Sequence, residues 1–229
     1  MVAKWVEQAY KSILRLSDEI RIQGTALSQY PRHRYDSGLS VAEYEQIDPN
    51  EIQYLISPYL KHEYALSPAV SAVLGGEWDR APIEQGEWVT EPDTDGFIKL
   101  PLEEYRLYDS MSTHFLDGIP WNQTRWYRTV VERGGLSDAG GAYTDVNTTE
   151  QYLRYLDELY GRIKNEGFQS QRDLSNHPLA YMNEVTVLRG RDGTHYAGHV
   201  GRHRLQIARL LELPTIPVRV WVYHEDVLR

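Results

Sequence analysis

A seven-residue segment, Gly198 to Arg204, brings together several side chains that could do chemistry. It reads GHVGRHR, so two glycines, two histidines and two arginines stand in or just before an apolar pattern typical of a helix. The first turn of a helix has backbone N–H groups without intrahelical acceptors and lies at the positive end of the helix dipole, so it attracts anions. Further positive charge there costs stability unless an anion binds. The residues predicted to contact a phosphate group are Gly198, His199, Gly201, Arg202, His203 and Arg204.

The same segment also has a structural interpretation. Acids such as Glu184 or Asp192 could pair with two of the basic side chains, and the glycines could simply turn the chain. A short pattern of glycines and basic residues is weak evidence for a phosphate site. Spacing alone therefore leaves the two interpretations about equally supported.

Three histidines in this region have a spacing that could bind a metal. His195, His199 and His203 recur every fourth residue, which on a continuous helix would align three zinc ligands. Gly198 and Gly201 make a continuous helix unfavourable here. We therefore expect no metal site, and a phosphate contact from His203 or plain packing is the preferred interpretation.

Composition limits the class of protein. With 229 residues, 41% of them hydrophobic, the chain can bury a substantial core. A formal net charge of -9 disfavours binding along a nucleic-acid backbone, and the absence of cysteine excludes disulfides, thiolate zinc sites and cysteine nucleophiles. No apolar stretch is long enough to span a membrane, and the first residues carry charges too early for a secretory signal. We expect a soluble, cytoplasmic protein without a membrane partner.

Periodicity and turn residues predict the elements around the segment. Asn147 and Glu150 form a capping-box pattern, and Gly167 follows an apolar helical face, so a helix is expected between them. The run NEVTVL, the turn RGRDG and the run THYAG predict a hairpin. After the helix that starts in the basic segment, PTIPVRVWVY is typical of a strand entered through a proline turn.

The earlier part of the chain is less regular. The run AKWVEQAYKSILRLSDEI has the apolar spacing of a helix, and IDPNEIQYLISPYL predicts a turn followed by a short strand or helix. The run FIKLPLEEYRLYDSMSTHFLDG predicts a short strand entering a helix. The glycine-rich ERGGLSDAGGAY is a solvated loop in the preferred interpretation and a mobile lid in the alternative.

From about Gly96 to Tyr223 the pattern resembles the ParB-like and sulfiredoxin superfamily. The run LDELYGRIKNEGFQSQ is similar to the helix and turn before that family's hairpin, and FIKLPLEEY is similar to its first strand. An atypical insertion would span roughly Ser110 to Val146. The positions that match the carboxy-terminal motif are Gly201, Arg202, His203, Arg204, Leu205, Ala208, Leu211, Thr215, Ile216, Pro217 and Val218.

The resemblance implies nucleotide binding. Family members hold the phosphates of ATP, ADP or CTP, commonly with magnesium, at the loop and helix start that correspond to Gly201 through Arg204. Sulfiredoxins place their reactive cysteine where Arg202 stands, so a chain without cysteine cannot repair sulfinic acids. Free-serine kinases of archaea transfer a phosphoryl group on this scaffold, and partition proteins use it as a nucleotide-gated DNA clamp. Both activities remain open.

One departure from the family concerns the catalytic carboxylate. Many relatives have an acid just before the motif glycine, where this chain has Val200. The base would have to come from elsewhere, and Glu103, at the end of the strand expected beside the phosphate site, is the first candidate. Glu184 is the second. Glu77 and Asp79 are a further acid pair, but solvated acids are commoner than catalytic ones.

Together these features predict an α+β fold. A small mixed sheet with packed helices is expected over residues 76–229, with an insertion near 110–146, preceded by a mainly helical extension over residues 1–75. The expected function is nucleotide binding coupled to phosphoryl transfer onto a small molecule or protein, as in a phosphotransferase or NTPase. The alternatives are a DNA-associated ParB-like partition or nuclease module and a non-catalytic interaction protein that retains the scaffold. The acceptor, and whether the protein is a homodimer, stay open.

Overall fold

The computed structural model describes residues 44–57, 71–80, 98–132, 146–175, 180–198 and 200–228. Three features of the sequence lie outside these ranges: the predicted amino-terminal helix, the glycine-rich segment after Glu132, and His199.

The described residues form seven strands and five α-helices, joined in part by short 3-10 turns. The strands are β1 (Glu45–Ile47), β2 (Tyr54–Ser57), β3 (Ala72–Leu74), β4 (Ile98–Pro101), β5 (Thr186–Arg189), β6 (His195–Ala197) and β7 (Ile216–His224). The α-helices are α1 (Arg106–Phe115), α2 (Arg125–Glu132), α3 (Val146–Glu166), α4 (Gln171–Leu174) and α5 (Arg202–Leu210). The 3-10 turns are Pro49–Glu51, Trp78–Arg80, Leu102–Glu104, Trp121–Gln123, Ala180–Asn183 and Glu225–Leu228.

The strands build one mixed sheet, in the order β1-β7-β5-β6-β2-β4, with β3 also paired to β7. β5 and β6 form the predicted antiparallel hairpin. β6 runs parallel to β2, β2 pairs antiparallel with β4, and β5 runs parallel to β7. The predicted α+β class is therefore confirmed.

The nine-residue strand β7 organises one side of this sheet. β5 pairs with one edge of β7, and β1 and β3 share the other edge. Ile47 of β1 lies opposite Ile216 near the start of β7, whereas Leu74 of β3 lies opposite His224 at its end. Two short segments from early in the sequence are thus held in the sheet by the last strand.

This arrangement corrects the predicted division of the chain at residue 75. The described residues before that point form β1, β2, β3 and one 3-10 turn, not a helical extension. All three strands pair with strands from residues 98–224. The predicted boundary therefore passes between strands of a single sheet.

In the part of the chain that the structure describes, buried apolar side chains pack in two clusters, because successive residues of a strand point to opposite faces. The larger cluster includes Val185 and Val187 beside β7 and the apolar residues of α1, α2, α3 and α5. The smaller cluster includes Leu188, Trp78 and Trp221. The helices therefore hold the larger cluster against the sheet, and this packing positions α5.

Helix α3 was predicted closely. It begins at Val146, next to the expected cap at Asn147, and ends before Gly167, whose φ of 83° and N–H bond to the Ile163 carbonyl at 3.0 Å close the last turn. The predicted apolar face of α3 packs into the larger cluster, and its members are Tyr152, Leu153, Leu156, Leu159, Tyr160 and Ile163.

No helix within the described ranges combines the length and apolar character needed to cross a membrane.

Candidate functional site

The loop before α5 is held against the start of β5 through Thr186. The Gly198 N–H donates to the Thr186 carbonyl at 2.8 Å, and the Thr186 N–H donates to the Val200 carbonyl at 3.1 Å. The Val200 N–H donates to the Thr186 hydroxyl oxygen at 3.0 Å. A Cβ at Gly198 would lie 2.5 Å from that oxygen, so close packing alone requires glycine here.

Gly201 stands at the N-cap of α5 and sets the position of its first turn. Its φ of 74° is left-handed, and a Cβ would lie 2.6 Å from the Cα of Val185. Glycine meets both demands because it has no Cβ. Glycine has no side chain that could cap the helix, and Gly201 makes no side-chain cap bond. The first N–H groups of a helix also have no acceptor within the helix.

Arg204 turns inward from this first turn and pairs with Glu184. Its Nη1 lies 2.8 Å from Oε1 of Glu184, and the two side chains are 8% and 0% exposed. The guanidinium also donates to the carbonyl of Gln169 and lies 4.4 Å from the ring centre of Phe168. The structural interpretation of this arginine, pairing with Glu184, is the one that the contacts support.

Glu184 holds several parts of the chain together. In addition to Arg204, its carboxylate accepts the N–H of Gln171 at 2.7 Å and the N–H of Val185 at 3.0 Å. These bonds fix the start of α4 and the start of β5 to α5. The Glu184 carboxylate therefore accepts three hydrogen bonds that have a structural role.

His203 is partly buried and faces α3. The Tyr152 hydroxyl and Nε2 of His203 are hydrogen-bonded, and the two rings meet edge-on with centres 5.4 Å apart. Trp126 of α2 packs beside the Tyr152 ring at 5.8 Å. Burial, and then the charge of Arg202, lower the pKa of His203 to about 4. His203 is accordingly neutral near pH 7.

Arg202 occupies the outer side of the first turn. Its guanidinium lies 5.2 Å from the ring centre of Tyr105, and the Tyr108 hydroxyl donates to the Arg202 carbonyl at 2.9 Å. Burial raises the pKa of Tyr108 well above its usual range, so this hydroxyl stays protonated and keeps donating. Arg202 itself is only partly buried. It is the basic side chain of this turn that is best placed to meet a ligand arriving from solvent.

The first turn of α5 contains two arginines and one histidine. No acidic residue lies in this turn of α5. Glu184 balances Arg204, and His203 is neutral. The positive end of the helix dipole favours an anion at this position.

Glu103 lies beside the opposite end of α5. Its carboxylate accepts from Nη2 of Arg209, in the last turn, at 3.1 Å, and its side chain is 76% exposed. The expected placement assumed that β4 neighbours the phosphate site, but β4 pairs with β2 and lies at the far edge of the sheet from β7. The structure does not bring Glu103 to Gly201 and Arg204.

The acid pair Glu77 and Asp79 is engaged by Arg191. Nη2 of Arg191 lies 2.8 Å from Oδ1 of Asp79, and its Nη1 lies 3.1 Å from Oε1 of Glu77. Burial acts to raise the pKa of Asp79, but hydrogen bonds from Arg191 outweigh it and hold that pKa below its usual range. This arrangement ties the β5–β6 turn to the 3-10 turn at Trp78–Arg80, which is a structural role.

The histidines do not form a metal site where the structure describes them. His195 is on β6 and His203 is on α5, with His199 outside the described residues. Within the ranges that the structure covers, no group of three or more histidines and acids could hold a metal ion.

Three residues that support the first turn were not assigned to it from the sequence. Tyr152, Tyr108 and Thr186 bond His203, the Arg202 carbonyl and the preceding loop, respectively. Only Tyr152 carried a signal, as a member of the apolar face of α3. A tyrosine on such a face signals packing, and its hydroxyl partner depends on which helix packs against it.

No family model, curated protein or solved structure matches the chain in comparisons with known proteins. The resemblance to the ParB-like and sulfiredoxin superfamily stays a prediction, and the function has to be inferred from the geometry of the first turn of α5.

Proposed function

We propose that the protein binds a phosphate-bearing ligand of the nucleotide type, such as ATP, ADP or CTP, at the first turn of α5. The observation that carries this proposal is the first turn of α5, which has glycine at its cap, no acid of its own and Arg202 beside Tyr105. The N–H groups of a helix start and arginine side chains are donors that proteins use for phosphate oxygens. Magnesium would be carried by the phosphates of the ligand.

The contacts of the two candidate bases favour binding over phosphoryl transfer. A general base has to lie within hydrogen-bond reach of the hydroxyl that it deprotonates. Glu184 is fully buried and already accepts bonds from Arg204 and two backbone N–H groups. Glu103 lies at the last turn of α5. We therefore infer recognition of the ligand without a catalytic role for either carboxylate.

Thermal shift with a panel of ligands is the first experiment. ATP, ADP, CTP and inorganic phosphate are each added with and without magnesium, and binding to the folded state raises the melting temperature. A rise with one or more nucleotides is expected. A melting temperature that none of these ligands changes, up to millimolar concentration, would contradict the proposal.

The second experiment locates the site by titrating the nucleotide against Arg202→Ala. A charge-assisted hydrogen bond contributes about 1.5 to 3 kcal/mol, so the loss of Arg202 should weaken binding by about tenfold to 100-fold. Arg209→Ala is the matched control, because it removes the same charge from the last turn of the same helix. Wild-type affinity in a folded Arg202→Ala variant would place the ligand elsewhere.

A further inference from the structure

Two Asp–Gly sequences in the described part of the chain could rearrange chemically. They are Asp117–Gly118, just after α1, and Asp192–Gly193, in the β5–β6 turn; a third, Asp95–Gly96, lies outside the described residues. An aspartate side chain can react with the backbone nitrogen of the next residue to form a five-membered ring. Glycine as that residue favours the reaction, because no Cβ hinders the approach of the nitrogen to the carboxyl carbon.

The rearrangement needs only water. The backbone nitrogen of the glycine bonds to Cγ of the aspartate, and its proton leaves with the carboxyl hydroxyl as one water molecule. Hydrolysis of the resulting succinimide takes up one water molecule. Attack at Cγ restores aspartate, whereas attack at the backbone carbonyl carbon gives isoaspartate. The chain of the isoaspartate product runs through Cβ and Cγ, so its mass is unchanged and its backbone is longer by one carbon.

At Asp117–Gly118 both reacting groups are accessible. Both residues are exposed, and a Cβ at Gly118 would have no atom within 4 Å. Among the described residues, none accepts a hydrogen bond from the Gly118 N–H or donates one to the Asp117 carboxylate. The ring can therefore close here without breaking a hydrogen bond of either group.

At Asp192–Gly193 the same two groups are engaged. The Gly193 N–H donates to the Gly190 carbonyl at 3.0 Å, and Oδ1 of Asp192 accepts the Thr194 N–H at 3.0 Å. The bond from the Thr194 N–H is also the main cause that holds the pKa of Asp192 below its usual range, which reduces the share of the protonated carboxyl that can lose water. Ring closure here has to break both hydrogen bonds.

We propose that Asp117–Gly118 is a site of spontaneous isoaspartate formation in the folded protein, whereas the β5–β6 turn protects Asp192–Gly193. The residue that follows the reactive pair is tied back to α1, because the Ile119 carbonyl oxygen lies 2.7 Å from Nδ1 of His114. A backbone longer by one carbon just before Ile119 would have to be accommodated beside this hydrogen bond. The modification therefore changes the connection that leads out of α1.

Peptide mapping of protein that has been aged for several weeks at about pH 6, where exposed carboxyl groups still exchange protons, measures both sites. Trypsin separates them, with Asp117 in the peptide 107–125 and Asp192 in the peptide 192–202. Electron-transfer fragmentation then distinguishes isoaspartate from aspartate. Because two hydrogen bonds oppose ring closure at Asp192, isoaspartate should accumulate about tenfold faster or more at Asp117. In protein unfolded in guanidinium chloride the two rates should be similar, since the Asp–Gly sequence alone then decides them.

Two variants that keep the charge assign the site. Asp117→Glu should abolish the modification in the peptide 107–125, because a glutamate would have to close a six-membered ring, which forms far more slowly. Asp192→Glu is the matched control and should age at Asp117 at the wild-type rate. Asp117 and Asp192 are both exposed, so both variants should fold.

Three results would overturn the proposal. The first is equal rates at the two sites in the folded protein. The second is no isoaspartate at Asp117 after an incubation that modifies the unfolded chain. The third is isoaspartate in the peptide 107–125 that persists in Asp117→Glu, which would assign the modification to Asp109, the other aspartate of that peptide.

Discussion

Replacing Arg204 with methionine should destabilise the fold far more than an ordinary arginine substitution. Methionine keeps an apolar stem of similar length against Phe168 but removes the charge that faces Glu184. The Glu184 carboxylate, whose side chain is 0% exposed, would keep only its two backbone N–H donors. The variant therefore leaves a buried carboxylate without a counter-charge.

The magnitude follows from burial. Removing one partner of a buried ion pair costs about 3 to 5 kcal/mol, because the remaining charge stays desolvated. A domain of this kind has a free energy of unfolding of about 5 to 15 kcal/mol, so the loss is a large share of it. The ion pair of Arg209, also on α5, with Glu103 provides the contrast. Nη2 of Arg209 lies 3.1 Å from Oε1 of Glu103, but the Glu103 side chain is 76% exposed. Glu103→Gln should therefore cost less than about 1 kcal/mol.

Urea unfolding, followed by the fluorescence of the 6 tryptophans, measures both costs. Adding Glu184→Gln to Arg204→Met removes both charges, so the double variant should cost no more than about the larger single cost, a coupling of about 2 kcal/mol or more. A cost for Arg204→Met below about 1 kcal/mol, or single costs that simply add, would refute the argument that burial makes the loss of one partner costly.

Two further predictions concern the same region. Gly201→Ala should lower the melting temperature strongly or prevent folding, because the new Cβ would lie 2.6 Å from the Cα of Val185. Gly193→Ala is the control: Gly193 also has a positive φ, but a Cβ there would have no atom within 4 Å, so the change should cost only about 1 to 2 kcal/mol. Similar melting temperatures for the two variants would contradict this prediction. The pKa of His203 is about 4 in the fold against 6.5 for an ordinary histidine, so the unfolded chain takes up the proton first and stability should fall by up to about 3 kcal/mol as pH drops from 6.5 to 4. Urea unfolding of His203→Gln should lack this component, and an unchanged pH dependence in that variant would show that another group is responsible.

The elements nearest the candidate site were the most predictable from the sequence. Apolar spacing and Gly167 predict α3, and the alternating runs on either side of RGRDG predict the β5–β6 hairpin. Strands β1 and β3 were not assigned, since each has three residues, too few to show a period of two, and neither belongs to a predicted hairpin as the equally short β6 does. Their place in the sheet depends on pairing with β7, which no local pattern encodes.

The segment of the candidate site remains a prediction, and the contacts of most of its residues could not be predicted from the sequence. The positions of Gly198 and Gly201 suggested room for phosphate, but each glycine is required by close packing, Gly198 against Thr186 and Gly201 against Val185. Arg204 was predicted to contact phosphate, with Glu184 only one of several acids that it might instead face. Whether an arginine at a helix start points to solvent or to a buried acid depends on tertiary packing, which spacing does not reveal.

The position of β7 in the chain affects how the protein folds during translation. A ribosome releases the segments of β1 and β3 long before it releases β7, the strand with which both pair. The β5–β6 hairpin can form from local contacts, but the other side of the sheet has to wait for pairing partners that are far apart in sequence, which slows folding. In the meantime unpaired strand segments are open to aggregation or to chaperones, so we expect the nascent chain to be more vulnerable than the finished fold.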